Sequence, residues 1–92
     1  MNEQPPKIEF PCDYPIKVIT VANQQRAAQQ LDEVLAVVHA HAEPIDPRTL
    51  EQKPSRAGTY VSLRLDIVAT GERQLQNLHR ALQALPYVKL VL

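Results

Sequence analysis

The chain has 92 residues, 45% of them hydrophobic, which suits one domain built around one modest core. Ten basic residues balance ten acidic ones, so the formal charge is zero and the attraction that drives binding to nucleic acids or anionic membranes is missing. Cys12, the single cysteine, has no partner for an internal disulfide; no apolar run reaches the roughly 18 residues of a bilayer span, and MNEQPPKIEF contains no apolar signal core. A reducing cytoplasm is the expected location, and a charge near zero does little to hold copies of the chain apart.

Residues 1–12 carry Pro5, Pro6 and Pro11 in a polar context and read as an extended arm, with residues 13–92 forming the domain. Asp13 to Ala22 is rich in β-branched residues and reads as a strand, with Tyr14, Ile16 and Val18 on one face and Lys17, Ile19 and Val21 on the other. Asn23 is the expected N-cap of a first helix, in which Ala27, Leu31, Val34, Leu35, Val38 and Ala42 recur at three- and four-residue spacing. Pro44 and Pro47 end it, and Arg48 to Lys53 is expected as a short second strand. Pro54 beyond it has no ladder donor, which confines that strand to a sheet edge.

The turn at Ala57 and Gly58 leads into the strongest pattern in the chain. From Tyr60, Val61, Leu63, Leu65, Ile67 and Ala69 alternate with Tyr60, Ser62, Arg64, Asp66 and Val68, the signature of a half-buried strand. Thr70 is expected to cap a second helix, in which Leu75, Leu78, Leu82 and Leu85 form one stripe until Pro86. Tyr87 to Leu92 closes the chain as a fourth strand.

The order β-α-β-β-α-β with right-handed crossovers predicts an α+β ferredoxin-like sandwich: an antiparallel sheet of order 4-1-3-2 with two helices on one face. The other face is then open. Strict alternation places Ile19, Val21, Tyr60, Arg64, Val68 and Val91 on it, and clustered exposed aliphatics mark contact surfaces. A protein partner, in the simplest case a second copy, is therefore expected at this face or at an edge strand.

Catalytic and metal chemistry find little footing. His39 and His41 are two positions apart on a helix, pointing about 200° from each other, so they do not share an ion there. His79 flanks the leucine stripe with no nucleophile motif beside it. The two glycines, Gly58 and Gly71, form no phosphate-cradling loop. RNA-recognition domains share this element order, but Arg56 to Leu63 supplies Arg56, Tyr60 and Val61 with only one of the three stacking aromatics, so no nucleic-acid partner is expected. No metal, cofactor or membrane partner is expected either, and the domain reads as non-enzymatic.

Three stretches carry a resemblance: EFPCDYPIKV at 9–18, KPSRAGTYVSLRLDIVAT at 53–70, and VKLVL at 88–92. Together they resemble the YbeD-like family of small bacterial proteins. The resemblance implies a ferredoxin-like fold similar to the ACT regulatory modules of amino-acid metabolism, and it brings a provisional link to lipoate metabolism. A small-molecule effector, an amino acid or a lipoate-related metabolite, is accordingly the second reading beside a regulatory, protein-binding domain. The turn Val21, Ala22, Asn23, Gln24 lacks the glycine at which ACT modules commonly admit an amino acid. Within the densest motif, Lys53, Ser55, Arg56 and Gly58 are candidates for contact, or for shaping the turn.

Overall fold

The computed structural model describes residues 9–92, so most of the N-terminal arm lies outside the described residues. Its elements are β1 (Cys12–Val21), α1 (Ala27–His41), a 3-10 turn (Pro47–Thr49), β2 (Glu51–Pro54), β3 (Tyr60–Ala69), α2 (Glu72–Gln83) and β4 (Val88–Val91). The sheet is antiparallel, in the order β2-β3-β1-β4, and the order of elements is that of the ferredoxin-like sandwich. The ten-residue alternating strands β1 and β3 pair along their whole length at the centre, from Cys12 opposite Ala69 to Val21 opposite Tyr60. The short strands β2 and β4 form the edges, and Pro54 stands at the end of β2, where the sheet does not require its missing donor.

The core lies between the sheet and the helices. Ile16 and Val18 from β1 and Leu63, Leu65 and Ile67 from β3 pack in one cluster with Val34 and Val38 of α1 and Leu78 and Leu82 of α2. This is the face the alternation assigns to the helices, and Val61, Leu75 and Leu85 fill its margins. Thr20 is the buried polar residue of that face, and its hydroxyl is satisfied by donating to the Val61 carbonyl at 3.3 Å.

Local boundaries depart from the sequence expectation in three places. Asn23 does not cap α1: its Oδ1 accepts from the Gln25 N–H at 3.1 Å, making an Asx turn, and α1 starts after Arg26 with no side-chain cap. Arg48 belongs to a 3-10 turn held by Asp46, whose carboxylate accepts from the Arg48 backbone and guanidinium, so β2 begins only at Glu51. Thr70 likewise does not cap α2. Its N–H donates to Gln74 Oε1 at 2.7 Å, while the Gln74 amide donates to the carbonyls of His41 and Val68 and ties the ends of α1 and β3 together.

Candidate interaction face

The sheet face turned away from the helices is built row by row from the strand register. One row runs Leu92, Lys17, Arg64, Glu51. Leu92 and Lys17 exchange both backbone hydrogen bonds, at 2.8 and 3.0 Å, Lys17 lies opposite Arg64, and Arg64 opposite Glu51. The next row runs Leu90, Ile19, Ser62, Lys53, and beyond it Val21 faces Tyr60. The β4 side of this face is therefore aliphatic and the β2 side charged.

The last strand requires a correction. Strict alternation from Val88 puts Val91 on the open face and Leu90 in the core, but Val91 is only 7% exposed and packs in the core cluster, whereas Leu90 is 45% exposed. The reason is a break in register. Leu90 pairs with Ile19 and Val88 with Thr20, so Lys89 is the extra residue of a β-bulge and reverses every side chain after it. Of the expected surface residues, Ile19, Val21, Tyr60, Arg64 and Val68 lie on the open face, and Val91 does not. Leu90 and Leu92 take its place. All three large hydrophobics exposed among the described residues, Tyr60, Leu90 and Leu92, lie on this face, although Val68, opposite Asp13 near the far end of the central strands, is set apart from them.

The motif at 53–60 forms the hairpin between β2 and β3. Ser55 is its hinge: its N–H donates to the Tyr60 carbonyl at 2.8 Å, its Oγ accepts from the Tyr60 N–H at 3.1 Å, and its carbonyl accepts from the Gly58 N–H at 2.9 Å. Gly58 adopts φ +74°, in the left-handed region that glycine enters without Cβ strain. Ser55 and Gly58 thus shape the turn, Arg56 is exposed at its tip, and Lys53 lies on β2 opposite Ser62.

The remaining candidates are dispersed. His39 Nε2 accepts from the Ile45 N–H at 3.3 Å, and His79 borders an apolar hollow of about 120 Å³ with Tyr14, Leu75 and Leu92. Cys12 is a half-buried free thiol. Among the described residues no group of His, Cys, Asp or Glu is arranged to hold a metal ion, and no helix is long and apolar enough to cross a membrane. At the turn after β1, a small hollow of about 40 Å³ is lined by Thr20, Asn23 and Gln30, and a wider, shallow groove of about 350 Å³ beside it by Arg26, Pro86 and Tyr87.

Alternation in the last strand puts Tyr87 on the open face, but its side chain is directed at α1. Its hydroxyl donates to Glu33 Oε2 at 2.6 Å and reaches the Gln30 carbonyl at 3.3 Å, which fastens the entry to β4 onto α1. Partial burial, and next the hydrogen bond to the Glu33 carboxylate, push its phenol well above the ordinary tyrosine range.

Comparison with known proteins bears on this architecture as a whole. A family model described as "Protein of unknown function (DUF493)" matches residues 5–92. A UPF0250 protein of Azotobacter vinelandii is 46% identical over 97% of this chain and 94% of its own length, and one of Hahella chejuensis is 43% identical over 99% and 96%. The solution structure of protein HP0495 from H. pylori superposes with a TM-score of 0.69 over 100% of this chain and 98% of that one, at 20% identity, which speaks for the shared fold alone. With the family model spanning nearly the whole chain and relatives this similar from end to end, the protein belongs to the DUF493 (UPF0250, YbeD-like) family of small bacterial proteins.

Proposed function

We propose that this domain is a non-enzymatic interaction module of regulatory type, working in the cytoplasm, that docks a protein chain on the open face of its sheet, in the simplest case a second copy of itself. The observation that carries the reading is the gathering of Tyr60, Leu90 and Leu92 on the face the helices leave uncovered. Apolar surface clustered beside the free edge of β4 gains from burial against another chain, and that edge offers unpaired backbone groups in the same place. Balanced charge adds no long-range repulsion between copies.

A small effector at the turn after β1 has less support. The small hollow there, at about 40 Å³, has room for only about three waters when each takes about 10–15 Å³, and the wider groove beside it is shallow. Light scattering on a concentrated sample tests the docking reading: the native chain associates and Ile19→Lys, which puts a charge beside Leu90, remains monomeric. A native chain that stays monomeric, or association unchanged by the substitution, would remove the second copy as the partner.

A further inference from the structure

We propose that the charged half of the same face is a binding site for a small oxyanion, a phosphate or carboxylate group, held by Lys17, Lys53 and Arg64 around Ser62. These residues and Glu51 are the whole lining of a depression of about 260 Å³, where a single water needs about 10–15 Å³, so it accommodates an oxyanion together with part of its hydration shell.

The strand register builds the charge into the sheet. Lys17 stands directly opposite Arg64 across β1 and β3, and Lys53 directly opposite Ser62 one row further along, across β2 and β3. Like charges opposite each other on antiparallel strands repel, so the Lys17–Arg64 pair opposes folding unless an anion sits between them. Glu51 faces Arg64 from β2, yet the ion pair among the described residues is Arg48–Asp46, and Glu51 forms none with the three cations. Within the lining three cations stand against one carboxylate, and with Asp66, the next outward residue after Arg64 on β3, counted as well, an excess of one positive charge remains in a chain whose overall charge is zero. Arg64 supplies a planar fork for two oxygens, the lysines supply point charges, and the half-buried Ser62 hydroxyl donates from the floor. A divalent cation would meet the same excess as repulsion. A nucleic-acid backbone needs an extended basic track rather than one depression with Ile19 beside Ser62 and Leu92 beside Lys17.

The inference stands apart from the docking reading, because it rests on the β2 side of the face and requires no second chain. It is tested by following backbone amide resonances of the full chain during titration with inorganic phosphate, and separately with acetate, at constant ionic strength. Saturable shifts centred on Lys17, Lys53, Ser62 and Arg64 are expected. Arg64→Gln weakens binding on the order of fivefold, the effect of one unit charge at about 4 Å in water, and Glu51→Gln strengthens it by a similar factor. Saturation by phosphate alone assigns a phosphate group, and by acetate alone a carboxylate. Linear shifts with both anions, or equal shifts at Arg26, Arg56 and Arg73, overturn the proposal, as does a Glu51→Gln variant that binds no tighter.

Discussion

The Tyr87 hydroxyl donates to the Glu33 carboxylate at 2.6 Å across 54 positions of sequence, joining the segment that leads into β4 to the middle of α1. The four-residue edge strand pairs on one side only, with β1, and this bond adds a tether to α1 at its entry. Tyr87→Phe keeps the ring and removes the donor, and a loss of about 1–2 kcal/mol in urea unfolding is expected for a charge-assisted bond at a partly buried site. The pH dependence follows from the raised phenol. The folded state holds the Tyr87 proton more tightly than the unfolded chain, so the contribution is complete below about pH 10, the unfolded value, and declines as pH rises beyond it. Melting temperature plotted against pH should therefore fall more steeply above about pH 10 in the native chain than in Tyr87→Phe.

The bulge at Lys89 yields a pair of opposite outcomes from adjacent residues. Val91→Lys places a charge in the core and should unfold the domain or cost more than about 3 kcal/mol, whereas Leu90→Lys should leave the melting temperature within a few degrees of the native value. Circular dichroism melts of the two variants decide it. The reverse ranking, with Leu90→Lys the less stable, would mean that β4 follows strict alternation.

Leu65, 1% exposed at the centre of β3, is the test of the core. Its truncation to alanine should cost about 2–5 kcal/mol by chemical denaturation, a large share of what a domain of this size possesses.

The hairpin at 55–60 should respond as a structural turn. Ser55→Ala removes the acceptor of the Tyr60 N–H and should cost about 0.5–1.5 kcal/mol. Gly58→Ala meets no atom within 4 Å, so its cost, about 1–2 kcal/mol, should come from backbone strain at φ +74° alone. Both variants should retain the association behaviour of the native chain.

What the sequence reveals and what it hides follow from how local each signal is. The period-two pattern of Tyr60 to Ala69 and the leucine stripe of α2 report which side of each element meets the core, and that suffices for the topology and for the open face. The bulge at Lys89 leaves no trace, because β4 is too short to show where its alternation slips. Asn23 and Thr70 are good capping residues by type, yet the Asn23 side chain closes an Asx turn onto Gln25 before α1 begins and Thr70 meets Gln74 through its backbone N–H, so neither helix has a side-chain cap. The bonds from Gln74 to His41 and from Tyr87 to Glu33 join segments distant in sequence, so no window of neighbouring residues announces them. The opposition of Lys17 and Arg64 becomes visible only once the register of β1 and β3 is known.

The most direct test of the docking face is a dilution series of the native chain followed by amide resonances. Concentration-dependent shifts are predicted at Ile19, Tyr60, Leu90 and Leu92 and along β4, with the outer surfaces of α1 and α2 unaffected. Shifts confined to the helices, or a spectrum that does not change with concentration, would contradict the account.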